Sequence, residues 1–276
     1  MTEALLHHID RLQRQRPMTK EAMEAYRGLV NLMMEAEPGV ISTRIDDRLN
    51  TVKTEEGFPL FSRGDLPLDL ETATHLMRRF LAHLAPLDRK DAAGLNQALQ
   101  RMDTEPDWAQ DLFAAILNQD EAVQDRMAGS VDLESATLRF LGETALRPSI
   151  QALRDRVGDR IPRTGWDFGY CPFCGSQPDM ACLGKTGERY LHCGFCGEEW
   201  RFTRIKCPFC NNEDQKSLGY FESEAEEGFR VYFCRACSRY LKTVDKRVLE
   251  EVAPLELEGL ATLHLDLLAS EQGFKS

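Results

Sequence analysis

The chain has 276 residues, 42% of them apolar, and a formal net charge of −11. That length suits two or three domains with a sizeable core. The acidic balance argues against a protein that coats nucleic acid, where affinity comes from neutralising phosphates, and no apolar run approaches the roughly 18 residues that a membrane span requires.

Residues 1–165 contain no cysteine and read as an all-α domain. Met1 to Arg16 places Leu5, Leu6, Ile9 and Leu12 on one side. It lacks the apolar segment of a secretory leader, so a cytoplasmic setting is expected. Thr19 to Ala36 repeats Met23, Tyr26, Val30, Met33 and Met34 at helical spacing, and Pro38-Gly39 stops it. From Val40 to Leu68 the pattern breaks at Gly57, Pro59, Gly64 and Pro67, which predicts a long connection. The pair Asp46/Asp47 reads as part of that loop, without an evident partner.

Asp69 can cap the next helix, whose face is Ala73, Leu76, Met77, Phe80, Leu81 and Leu84 before Pro86. Asp88 to Met102 forms another. Pro106 sits at a predicted first helical position, followed by the buried stripe Trp108, Leu112, Phe113, Ile116 and Leu117. Val131 to Leu146 is a further helix, and Pro148 either kinks it or starts one reaching Val157. His7, His8, His75 and His83 read as solvated or satisfied. No Ser-His-Asp order, phosphate loop or His-Glu-x-x-His motif occurs, so no catalytic residue is assigned and the chain is not read as an enzyme.

Pro162, Gly165 and Gly169 punctuate the join to the second half, where Trp166, Phe168 and Tyr170 alternate as a short strand. Eight of the nine cysteines follow as four Cys-x-x-Cys pairs: Cys171/Cys174, Cys193/Cys196, Cys207/Cys210 and Cys234/Cys237. Each such turn brings two thiolates to one side of a tight loop, half the shell of a tetrahedral metal. Four turns therefore supply two four-thiolate sites with no ligand missing.

The turns also form a repeat. Cys-Pro-Phe-Cys is followed after eighteen residues by a second turn in the first copy, and after twenty-three in the second. Each second turn is preceded by a strand-like run (189–192 and 229–233) and followed by a polar-aromatic one (199–203 and 238–242). The prediction is two tandem knuckle–hairpin–knuckle modules, zinc-ribbon or rubredoxin-like, at 166–206 and 207–276. A cross-brace, with the first and third turns sharing a metal, is the rival pairing. A final helix carries Leu257, Leu260, Ala261, His264, Leu267 and Leu268 on one face. The class is thus α plus small β: a helical domain, two metal modules and a C-terminal helix.

Disulfides do not suit a reducing compartment, and redox use of Cys-x-x-Cys needs one reactive pair rather than four similar turns. Cys182, among apolar neighbours, reads as core. His192 abuts Cys193, but both cysteine sets are complete without it. Four thiolates close the shell against substrate and suit zinc or iron, with the affinity order favouring zinc over ferrous iron. Asn211 stands where a glycine is common after such a pair, and asparagine tolerates positive φ. Arg201, Arg204, Lys206, Arg235, Arg239, Lys242, Lys246 and Arg247 would serve a nucleic-acid-binding ribbon. Glu222, Glu224, Glu226 and Glu227 offset them, so no nucleic-acid partner is expected.

Three stretches resemble the bacterial formate dehydrogenase accessory (formation) proteins of the FdhE family. They are YCPFCGSQP from Tyr170, LHCGFCGEEWRFTRIKCPFC from Leu191, and LATLHLDLLA from Leu260. Gly57 to Leu60 is a rougher echo. The resemblance implies a non-enzymatic cytoplasmic factor, needed for active formate dehydrogenase, that contacts the enzyme's molybdenum- or tungsten-containing catalytic subunit. It implies rubredoxin-like modules and leans toward iron at Cys171, Cys174, Cys193 and Cys196 and at Cys207, Cys210, Cys234 and Cys237. Phe173, Phe195 and Phe209 of the knuckles are expected either to meet that partner or to pack over the metal. Electron transfer through thiolate-bound iron during cofactor insertion is the alternative function.

Overall fold

A computed structural model describes residues 2–16, 20–39, 41–43, 45–87, 90–223, 226–249 and 251–275. Met1, Thr19, Val40, Asp88 and Glu224, named above, lie outside the described residues. The expected α plus small β class is the one observed, with helices up to Val157, then a sheet, then short helices. Two compact units divide the chain: Met1–Met23, Ile45–Phe61 and Asp159–Ser276 form one, and Glu24–Arg44 and Ser62–Gly158 the other.

The second of these units is helical. The chain enters it within α2 (Lys20–Met34), from Glu24 on, and continues through α4 (Leu70–Leu84), α5 (Ala92–Thr104), α6 (Trp108–Leu117), α7 (Glu121–Gly129) and α8 (Ser135–Val157). Helix α4 packs on α5, α6 and α8. All six apolar positions predicted for α4 are buried, as is the whole Trp108 stripe of α6. Asp69 caps α4 as expected, accepting from the Thr72 N–H at 3.0 Å. Pro106 lies before α6 rather than inside it. Pro148 starts no new helix, because α8 runs through it as one helix. Helix α7 is absent from the sequence reading: it buries only Gln124 and Ala128, so it has no apolar stripe.

The other unit holds α1 (Thr2–Gln15), α3 (Asp47–Glu55), a six-stranded sheet, and the helices α9 (Leu255–Ala261) and α10 (Leu263–Glu271). Helix α3 lies within the predicted long connection and corrects it. Nothing on α3 is buried, so no apolar periodicity marks it. Asp46 is its cap, accepting from the Arg48 and Leu49 N–H groups, and Asp47 pairs with Arg160 at 2.9 Å. Both carboxylates therefore have partners, contrary to the loop reading.

The strands are β1 (Pro178–Leu183), β2 (Arg189–Cys193), β3 (Glu199–Phe202), β4 (Leu218–Phe221), β5 (Phe229–Cys234) and β6 (Arg239–Asp245). Their order is β3-β2-β1-β6-β5-β4. Each cysteine repeat supplies three antiparallel strands, and β1 joins β6 in parallel, with Met180 opposite Lys242. The two modules thus share one sheet. Segment 166–170 is not a strand. Instead Trp166, Phe168 and Tyr170 pack ring on ring at 4.8–5.5 Å, and the Trp166 indole N–H donates to the Tyr170 carbonyl at 2.8 Å.

Helix α9 lies on β1 and α10 on β6. The expected single C-terminal helix breaks at Thr262, whose φ of −120° leaves the helical region while its hydroxyl donates to the Glu258 carbonyl at 2.6 Å. The break rotates the buried face. Leu265 and Ala269 go inside, and Leu267, predicted to face in, is 67% exposed. Cys182 sits in this core beside Met180, Val231 and Leu255, as its neighbours suggested.

Candidate metal centres

The eight paired cysteines lie at strand ends or in the loops and turns that lead into strands. Cys171 and Cys174 precede β1, Cys193 closes β2, and Cys196 lies in the turn to β3. Cys207 and Cys210 precede β4, Cys234 closes β5, and Cys237 lies in the turn to β6. The hairpins fold each second turn back onto the first of its own repeat. The result is one group of Cys171, Cys174, Cys193 and Cys196 and another of Cys207, Cys210, Cys234 and Cys237, each with its sulfurs within 4.8 Å of one another. The first and third turns fall in different groups, so the cross-brace is not the arrangement adopted.

The turns share one backbone design. In three of them the N–H four residues after the first cysteine donates back to its carbonyl, at 2.8–3.0 Å from Gly175, Gly197 and Asn211. The residue after each second cysteine has positive φ: Gly175 at 75°, Gly197 at 73°, Asn211 at 59° and Ser238 at 55°. Asn211 therefore does what its amide permits, and Ser238 accepts the same conformation without the usual side chain for it.

Sulfur separations test the fit to a metal. Cys171 and Cys196 are 3.5 Å apart, Cys174 is 3.6 Å from both Cys193 and Cys196, and the pairs Cys207/Cys237 and Cys210/Cys234 are at 3.7 Å. A tetrahedron with metal–sulfur bonds of about 2.3 Å has edges of about 3.8 Å, whereas a disulfide needs about 2.05 Å. The donor sets fit a four-coordinate thiolate ion and not a disulfide.

Electrostatics point the same way. Burial pushes the Cys171 and Cys196 thiols well up. Cys174, equally buried, is held well down by hydrogen bonds from the three neighbouring thiols and Ser176. Burial thus opposes ionisation of Cys171 and Cys196, and a bound cation would favour their thiolates. In the second group burial raises Cys207. For Cys234, burial is outweighed by the Cys237 and Ala236 N–H groups and the Asn212 amide, which bring it down to about 7. The Asn212 amide lies 3.5 Å from the Cys234 sulfur.

The surroundings differ. Every sulfur-bearing residue of the first group is buried, while Cys210 is exposed and Cys237 half-buried. Segment 57–61 covers the first group. Leu60 and Phe61 donate their N–H groups to the carbonyls of Pro172 and Phe173 at 2.8 and 2.9 Å, and the Tyr170 hydroxyl donates to the Gly57 carbonyl at 2.6 Å. Sequence reading singled out Gly57 to Leu60 only as an echo of a family and did not place it here, because no local pattern marks a strap. Beneath the first module Arg163 grips the buried Glu198 carboxylate, and the Trp200 indole donates to the Phe168 carbonyl at 3.0 Å.

The knuckle aromatics do not form a common exposed face. Phe173 and Phe195 are buried, in keeping with the packing alternative, and Phe209 is half-buried with the Arg239 guanidinium 3.8 Å above its ring. The basic set does not form one face either: Arg204, Lys206 and Arg239 line a cleft beside the second cysteine group, and the others do not. Lys242 is buried against Asp266 at 2.7 Å and the Gly259 carbonyl at 2.8 Å, Arg247 holds Asp245, and Lys206 meets Asp167 at 3.1 Å. Glu222 pairs with Arg230 and Glu226 with Arg16. His192 belongs to neither sulfur group and meets Asp179 at 2.8 Å. Burial opposes its charge, but Asp179 outweighs this and raises its pKa.

Residues 170–204 match the family model described as "FdhE, central domain", and 205–276 match that described as "FdhE, C-terminal domain". The matched segment, 170–276, is thus similar to the FdhE family. An FdhE homolog of Aquifex aeolicus is 36% identical over 141 residues, which is 50% of this chain and 49% of that protein. An FdhE homolog of Edwardsiella ictaluri is 37% identical over 108 residues, 38% of this chain and 34% of the relative. These matches thus span about half or less of the curated FdhE relatives. The crystal structure of the FdhE protein from Pseudomonas aeruginosa aligns over 100% of this chain and 94% of its own, with a TM-score of 0.72 at 24% identity. That likeness extends the shared fold to the helical part. Among the described residues no helix is long and apolar enough to cross a membrane.

Proposed function

We propose that this protein is a non-enzymatic, cytoplasmic maturation factor for formate dehydrogenase that docks on the catalytic subunit of that enzyme. In this reading Cys171, Cys174, Cys193 and Cys196 hold one metal ion and Cys207, Cys210, Cys234 and Cys237 a second, zinc or iron. The observation that carries it is the pair of closed four-cysteine groups at the strand ends and turns of a single sheet, within the segment that matches the two FdhE domain models.

A closed shell of four thiolates leaves no coordination position for a substrate. When bound, each ion would cross-link two turns, and iron would add single-electron exchange. The chain's own residues do the rest. The turn backbones aim the sulfurs inward, segment 57–61 excludes water from the first group, and the sheet presents its outer surface to another polypeptide. Such a surface suits a factor that holds a partner rather than one that transforms it.

The test is capture of the formate dehydrogenase catalytic subunit from anaerobic cells by the metal-loaded protein, combined with formate oxidation in a strain lacking it. Capture, and loss of formate oxidation restored by the intact gene, are the expected results. No association and unaltered formate oxidation would overturn the reading. Electron transfer at the second group is a second reading, favoured by the exposure of Cys210 and Cys237. Full function of a zinc-only protein would exclude it.

A further inference from the structure

Beside the second cysteine group lies a cleft of about 360 Å³, within the size range of ligand sites. Its walls come from β2, the loop before Cys207, and strands β4, β5 and β6. Arg189, Arg204, Lys206 and Arg239 line it, and among the described residues no acidic side chain does. In a chain with a net charge of −11 this is a local reversal of sign. Tyr220, Tyr232 and Phe209 supply much of the remaining wall.

Arg189 is the central feature. It is 95% buried, since its relative exposure is 5%. Its guanidinium donates to the carbonyls of Lys206 and Arg204 at 3.1 and 3.4 Å, yet among the described residues no carboxylate pairs with it and its Nε has no partner. The Nε of Arg239, on the same cleft, is also buried without a partner. The neighbours of Arg189 offer carbonyls, the Phe202 and Tyr232 rings at 5.9 and 5.8 Å and the sulfur of Cys207 on the same cleft, but among the described residues no carboxylate, whereas buried cations are normally paired. Carboxylate is the anion whose planar geometry a guanidinium accepts in two parallel hydrogen bonds.

A polypeptide fits better than a free small anion. The cleft reaches β4, the outermost strand of the sheet, through Gly219 and Tyr220. An outermost strand has one edge of N–H and C=O groups that no strand pairs, and an extended segment can use it. Tyr220, half exposed and tilted against Tyr232 with centroids 5.3 Å apart, adds an aromatic wall at that end.

We propose that this cleft binds an extended polypeptide segment whose acidic side chain meets Arg189 and whose neighbouring apolar or aromatic residue lies against Tyr220 and Tyr232. The proposal rests on the polypeptide-binding reading given above and adds the chemistry of the docked segment.

The test uses the full-length metal-loaded protein and an array of short peptides. Each peptide carries one aspartate or glutamate among apolar and aromatic residues and is matched by an amide copy. Acidic members should bind, and their amide copies should bind about tenfold more weakly. The exposed-site variants Arg204→Glu and Tyr220→Ala should each weaken binding several-fold, and Arg189→Gln about tenfold where it folds. Equal binding of acid and amide copies, no binding by any member, or no effect of Arg204→Glu and Tyr220→Ala would overturn the proposal. Full displacement by benzoate or phenyl phosphate at matched concentration would assign the cleft to a free small anion instead. The same variants then enter capture of the catalytic subunit. Undiminished capture by them refutes the cleft and spares the functional reading. Peptide binding with no capture by the wild type does the reverse.

Discussion

Phe61 and Phe173 meet edge to face, with ring centroids 5.6 Å apart and planes at 76°. Phe173 belongs to the first Cys-x-x-Cys turn and Phe61 to a segment more than a hundred residues earlier. The pair closes the wall over a buried sulfur group. Phe173→Ala should cost about 3–5 kcal/mol and Phe61→Ala, half-buried, about 1–2 kcal/mol. The double variant should reveal a coupling of about 0.5–1.5 kcal/mol. Denaturant unfolding of metal-loaded protein measures all three, and strict additivity would argue against the strap.

Unequal burial of the two sulfur groups predicts unequal metal retention. A chelator added to protein loaded at both groups should release ions in two phases, the faster by about tenfold or more and arising from the group that contains exposed Cys210. Cys210→Ser should remove the fast phase and leave the slow one. A single phase, or a fast phase that survives this substitution, would contradict the assignment.

Four positive-φ residues after the second cysteines predict an ordered response to substitution. Gly175→Ala should destabilise by about 1–2 kcal/mol, because a Cβ is strained there and would sit 3.2 Å from Pro59 Cγ. Ser238→Gly should stabilise by up to about 1 kcal/mol, and Asn211→Gly should stay within about 0.5 kcal/mol of wild type. Thermal unfolding at saturating metal provides the comparison.

Asp69 predicts a pH effect in the helical unit. Burial pushes its carboxyl up slightly, but N–H and hydroxyl donors from Thr72 and the Gly39 N–H outweigh this and hold it below its ordinary value. A depressed folded-state value means that the contribution is complete above about pH 4 and is lost as pH falls through the depressed value. Asp69→Ala should therefore cost about 1 kcal/mol at neutral pH, and the difference should close in acid. A constant difference across the range would refute the charge-dependent cap.

Removing both ions should affect the two units differently. Each thiolate site contributes on the order of 10 kcal/mol to the turns it joins. The helical unit has its own core around Phe80, Phe113, Leu76 and Leu81. Amide exchange of the stripped protein should show lost protection across β1–β6 and retained protection in α4 and α8. Protection that survives in the sheet would show that the ions are not its skeleton.

Legibility in the sequence followed the range of the interactions. The stripe of α4 repeats every three to four residues and was readable to the residue. Strand β1 was not, because five of its six residues are buried and it lacks the alternation of a half-exposed strand. Helices α3 and α7 bury almost nothing and so leave no periodic trace. Arg189 was read only as part of a strand-like run. Nothing local distinguishes an arginine that will be buried from one that will be solvated.

The sequence by itself determined the four cysteine turns, their duplication as two repeats, and the residues tolerant of positive φ. Those features are settled within a few residues or within one repeat, where spacing and side-chain type suffice. Only the tertiary structure decided that β1 lies parallel to β6, that residues 57–61 close over the first sulfur group, and that four cations converge on one cleft. These contacts join distant segments. Their energy comes from shape and charge complementarity in three dimensions, which leaves no repeating mark along the chain.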